Sequence, residues 1–73
     1  MQIATAQQLG SAIRAERRRR GFSQERLAAA AGVGARFIIE LERGKPSVEL
    51  EKALAVASAV GISLTASTEP DDA

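Results

Sequence analysis

The stretch Ser23–Gly44, "SQERLAAAAGVGARFIIELERG", holds two runs of helical character parted by a glycine, and its reading decides the fold. Ser23 is a residue type that caps helices, and Glu25 follows where the helix dipole favours negative charge. They predict a short helix over about 24–31, with Leu27 and Ala31 turned inward. Gly32 supplies the left-handed backbone of a tight turn. A second helix over about 34–43 comes next. At 100° per residue, Phe37, Ile38 and Leu41 fall on one side of it. Arg36, Ile39, Glu40 and Arg43 fall on the other. Phe37 and Ile38 are therefore expected in the core, and Ile39 outside it.

Two more helices flank this pair. Residues 6–19 place Leu9, Ile13 and the stem of Arg17 on one stripe, and Gly21 ends the run. Residues 48–60, with Ser47 as the expected cap, repeat Leu50, Ala53, Leu54 and Ala57 at helical spacing before Gly61. "ISLTA", residues 62–66, alternates apolar and polar residues as a strand does. A lone strand needs a partner, and the simplest is the same segment of a second copy. The expected dimer seam is Ile62, Leu64 and Ala66, with Val56 and Val60 of the last helix as further candidates. A plain tail after Gly61 is the competing reading. Residues 1–66 form one domain on this reading, and 67–73 an acidic disordered tail.

Composition narrows the function. The chain of 73 residues has neither Cys nor His, so zinc ligands, a thiol nucleophile and the commonest general base are missing. No enzyme, metal or cofactor is expected. No apolar run approaches a membrane span or a signal peptide, and a cytoplasmic, membrane-free protein is expected. Fifteen of the hydrophobic residues are alanines, so the core is small and gains from a second subunit. The net charge of +1 hides a gradient: residues 1–45 carry nine Arg/Lys against four Glu, whereas 46–73 carry one Lys against five Asp/Glu. A basic front half attracts a polyanion.

The two central helices have the dimensions of a helix-turn-helix, with Ala28 small at the crossing and Leu27, Ile38 and Leu41 filling the wedge. "SQERLA", "AGV", "IIELERG" and "LAVASAVGISL" together make the chain resemble the phage-repressor-like (XRE) helix-turn-helix proteins. The resemblance spans residues 9–64. More narrowly, "GVGARFIIELERGKP" followed by a terminal strand resembles HipB-type antitoxins, including the Y4mF-like branch. It implies an all-α, four-to-five-helix lambda-repressor-like domain with a short C-terminal strand paired in a homodimer. It further implies a repressor of its own operon whose partners are operator DNA and a HipA-type kinase toxin. The alternatives are a stand-alone repressor and a protein-interaction module with vestigial DNA binding.

Carried onto this sequence, the resemblance assigns roles. Gln24, beside the capping Ser23, touches the DNA backbone. Ala35, Arg36 and Glu40 face bases, with Ile39 and Arg43 alongside, and Lys45 and Ser47 meet phosphate. Arg17 and Glu42 form a partly buried structural ion pair. Physical chemistry fits these roles: an arginine forks onto guanine O6 and N7, and an alanine or isoleucine lies against thymine methyls. Arg43, Lys45 and the amides after Gly34 fix register through phosphates. Arg36 and Glu40, one turn apart, alternatively pair with each other, and Ile39 alternatively meets a protein. The run Arg17–Arg20 reads either as solvated surface or as phosphate steering by Arg18–Arg20.

Overall fold

Four helices build the part of the chain described by the computed structural model, residues 2–69: α1 (Ala6–Arg19), α2 (Gln24–Ala31), α3 (Ala35–Glu42) and α4 (Leu50–Ala59). A reciprocal cap starts α1. The Gln8 amide donates to Thr5 Oγ1 at 3.1 Å while Gln8 Oε1 accepts from the Thr5 amide at 3.1 Å. Arg17, Arg18 and Arg19 occupy the last turn of α1, where positive charge complements the helix dipole. Ser23 Oγ caps α2 by accepting from the Arg26 amide at 3.0 Å. Gly32 ends α2 with φ of 72°, and the Val33 amide then bonds back to the Ala28 carbonyl at 2.9 Å.

α2 packs against both α3 and α4, and α1 packs against α3. Ile13, Leu27, Ile38, Leu41, Val56 and Val60 are the largest fully buried side chains at the shared centre. Burying one aliphatic side chain of this kind contributes about 1.5–3 kcal/mol. Small residues let the helices approach, and Ala28, Ala53 and Ala57 are buried among them. The closest approach is at Gly10, where a Cβ would collide with the carbonyl oxygen of Leu41. Glycine there lets α1 run backbone to backbone over the end of α3. Among the described residues, no helix is long and apolar enough to cross a membrane.

Three expectations are corrected. α4 buries Ala53, Val56, Ala57 and Val60, whereas Leu50 and Leu54 are 69% and 44% exposed. Its inward stripe is thus turned by roughly 60° from the one expected, at 100° per residue. The small residues bring α4 close to α2, whose own inward side includes Ala28; a leucine stripe would hold the two helices apart. Ser47 does not cap this helix, because the N-cap is Glu49, which makes no side-chain capping bond. Val56 and Val60 are fully buried within the chain and have no surface to offer as a dimer seam.

Beyond Gly61 the described residues form no regular secondary structure. Ile62 packs on the rim of the core, while Leu64 and Ala66 are exposed. Residues 67–69 of the expected tail are exposed, and 70–73 lie outside the described residues.

Candidate nucleic-acid interface

The orientation of α3 sets the site. Ile38 and Leu41 anchor its inner side, and Phe37 is half-buried against the core beneath Lys52, whose Nζ lies 6.0 Å from the ring centroid. Arg36 and Arg43 therefore stand on the outer side, both exposed. Ala35, Ile39 and Glu40 border them with intermediate exposure. Ile39 is thus less exposed than the periodicity suggested, because it forms part of a cleft between α1 and α3.

A polar clamp fixes the end of α3. Arg17 Nε donates to Glu42 Oε2 at 2.6 Å, and Arg17 Nη2 donates to Oε1 at 3.0 Å. Arg17 Nη1 donates to the Phe22 carbonyl at 2.8 Å, so one guanidinium ties α1 to α3 and to the turn before α2. Gln24 Nε2 adds a bond to Glu42 Oε1 at 3.1 Å. The two charged side chains retain only 10% and 4% exposure. Every buried side-chain polar atom among the described residues has a partner. Hydrogen bonding to Glu42, opposed by desolvation, raises the Arg17 pKa above its ordinary value. Gln24, assigned to the DNA backbone by the resemblance, is thus engaged within the chain, although it also lines the cleft.

Other assigned residues lie around this clamp. Lys45 Nζ bonds Glu40 Oε2 at 3.1 Å, so Glu40 pairs with Lys45 and not with Arg36. Ser23, Gly34, Lys45 and Ser47 are exposed. Gly34 caps α3 without a side-chain bond, and its carbonyl accepts from the Phe37 amide at 3.0 Å. Among the described residues, Arg14, Arg18, Arg36 and Arg43 form no ion pair.

Arg14 and Arg18 join this site without being marked as a pair by the sequence. Periodicity alone assigns Arg14 no role and groups Arg18 with the two arginines after it. Both line the α1–α3 cleft, a space of about 410 Å³ that also takes in Ile39, Arg43 and the clamp. Their four-residue spacing was the available signal. An outward helix carrying two unpaired guanidiniums, beside a cationic cleft, suits a polyanion with grooves.

The helix-turn-helix (HTH_3) family model matches residues 13–66. The chain belongs to the helix-turn-helix family. It is 40% identical over 62 residues to the uncharacterized HTH-type transcriptional regulator y4mF of Sinorhizobium fredii, covering 85% of this chain and 82% of that protein. The helix-turn-helix chain is thereby a transcriptional regulator of the DNA-binding kind. Its fold matches HipB in a HipA-HipB-O2-O3 complex with a TM-score of 0.85 at 21% identity, over 96% of this chain and 99% of that one. It also matches the clp gene regulator ClgR from C. glutamicum, with a TM-score of 0.70 at 34% identity, over 85% and 80% of the two chains.

Proposed function

We propose that this helix-turn-helix protein is a homodimeric operator-binding repressor that serves as the antitoxin of a kinase-toxin operon. The observation that carries the repressor reading is the outer side of α3, where Arg36 and Arg43 are exposed and unpaired beside a helix end locked by the Arg17–Glu42 clamp. Such a helix enters a major groove as a preset rod. Arg36 forks onto a guanine, and Ala35 and Ile39 meet thymine methyls. Arg43, Lys45, Ser47, Ser23, Gln24 and the amides after Gly34 hold phosphates and set register without reading sequence. Glu40 accepts from a cytosine N4 when Lys45 turns to the backbone.

Two copies pair through residues 62–66, where Leu64 is 42% exposed and the backbone is not engaged in a helix. Pairing places two α3 helices into successive grooves about 34–36 Å apart. Leu64→Pro removes a ladder donor and is expected to convert the dimer to monomer in sedimentation.

The repressor reading is tested by titrating the DNA upstream of the gene with the wild type and Arg36→Ala. The variant is expected to bind about 5- to 150-fold more weakly per half-site, the equivalent of about 1–3 kcal/mol for each of the dimer's two bidentate base contacts. Equal affinity overturns the assignment of α3. The antitoxin role is supported by the fold shared with HipB, which was solved with HipA. Co-purification with a kinase encoded next to the gene tests it. The stand-alone repressor is the second reading, favoured by the higher identity to ClgR, a regulator of the clp gene, than to HipB. An isolated gene without a neighbouring kinase frame decides for it.

A further inference from the structure

The run Arg17–Arg20 does three separate jobs. Helical register sends Arg17 inward to Glu42. Arg19 and Arg20 turn to Glu16, at 2.9 and 3.7 Å. Arg18 leaves on a different flank, one turn from Arg14, and the two line the cleft whose far wall carries Ile39 and Arg43. They also border a shallower depression with Ser11 and Ala15, so both lie along one strip of α1. Like charges one turn apart destabilise a helix, and the remedy used elsewhere on α1, a carboxylate one turn away, is absent for this pair. The cleft does hold one carboxylate, Glu42, but Arg17 and Gln24 occupy its oxygens. Three arginines are thus gathered around a gap beside the outer side of α3 without an anion to answer them.

We infer that Arg14 and Arg18, facing Arg43 across the α1–α3 cleft, grip backbone phosphates of the DNA strand flanking the groove that α3 enters. The inference rests on the operator-binding reading and adds α1 to the contact surface. The cleft orients the duplex and raises affinity for any sequence, because phosphates are common to all. A double-stranded backbone is the ligand that the neighbouring α3 already implies; an isolated anion would leave Arg36 unexplained.

The test measures binding of a fluorescein-labelled duplex from the upstream region, across a range of salt, for the full chain and three double variants. Removing one phosphate-bound cation makes the log–log salt slope shallower by about 0.9. Arg14→Gln/Arg18→Gln is therefore expected to flatten the slope by about 1.8 for each bound subunit and to weaken binding roughly 10- to 60-fold per subunit near 0.1 M salt. Arg14→Lys/Arg18→Lys, which keeps the charges, retains a slope near the wild type. Arg19→Gln/Arg20→Gln removes two charges that Glu16 already answers and flattens the slope by less than half as much. Circular dichroism of each variant verifies that the helices are intact. An unchanged slope in the Arg14/Arg18 glutamine variant, or one no flatter than in the Arg19/Arg20 variant, overturns the inference while leaving the operator reading standing. A wild type without salt-dependent duplex binding removes both.

Discussion

Helices α3 and α4 meet the same packing demand and leave opposite surfaces behind. Each contributes fully or nearly fully buried aliphatic side chains to one centre, Ile38 and Leu41 from α3, Val56 and the C-cap Val60 from α4. Outside, α3 shows Arg36 and Arg43, whereas α4 shows Leu50 and Leu54. The fastening differs as well. Neither helix starts with a side-chain cap, but a buried ion pair reaches the end of α3 from α1, while α4 is held by apolar contact. Packing alone would have served for α3 too. The added polar clamp fixes the orientation of the helix whose outer side carries the proposed DNA contacts.

The largest expected effect breaks that clamp. Glu42→Ala strands the Arg17 guanidinium with little water and is expected to cost about 3–5 kcal/mol in urea denaturation. For 73 residues the whole margin is on the order of 4–11 kcal/mol, so at least about a quarter of the stability is at stake. A loss below about 1 kcal/mol would show that α3 is held by apolar contact alone, as α4 is. Gly10→Ala follows, since its methyl must displace the Leu41 backbone; overpacking of this kind costs about 1–3 kcal/mol and lowers the thermal midpoint. On α4 the expectation reverses. Leu54→Lys sits on exposed surface and should change stability by no more than about 0.5 kcal/mol. A larger loss, together with a lower sedimentation mass, would make the outer side of α4 an interface.

The smallest effect concerns acid. Hydrogen bonding to Arg19, opposed by desolvation and reinforced by the charges of Arg19 and Arg20, holds the half-exposed Glu16 carboxyl below the usual carboxylate range. The folded chain therefore binds this proton more weakly than the unfolded chain. The contribution is present above the unfolded carboxylate value and is lost as pH falls through the folded one. Thermal midpoints of the wild type and Glu16→Gln should differ slightly at neutral pH and converge in acid. A gap that widens on acidification would contradict the sign.

Much of the frame was legible because punctuation was local. Gly21, Gly32 and Gly61, each with positive φ, follow the ends of α1, α2 and α4. Ser23 capped where its side chain predicted. The inward side of α4 was not legible, since Leu50–Ala53–Leu54–Ala57 and Ala53–Val56–Ala57–Val60 both have helical spacing and share two residues. Choosing between them requires the distance to α2, which is a tertiary quantity. Gly10 carries no message until the helix crossing it is known. At the candidate site, Arg36 and Arg43 followed from periodicity. Partial cover of Ile39 and the gathering of Arg14 with Arg18 depend on how α1 lies across α3. Residues that act across two helices are the ones that one-dimensional spacing describes worst.

The Arg17–Glu42 clamp has an evolutionary corollary. It faces inward from α3, whereas positions 36, 39, 40 and 43 face outward or to the rim. On the proposed operator-binding reading, substitutions at positions 36, 39 and 40 change which base pairs are recognised, and those at 43 how firmly the backbone is held, while the scaffold keeps its melting behaviour. Paralogous copies of such a chain can diverge in target without passing through an unfolded ancestor.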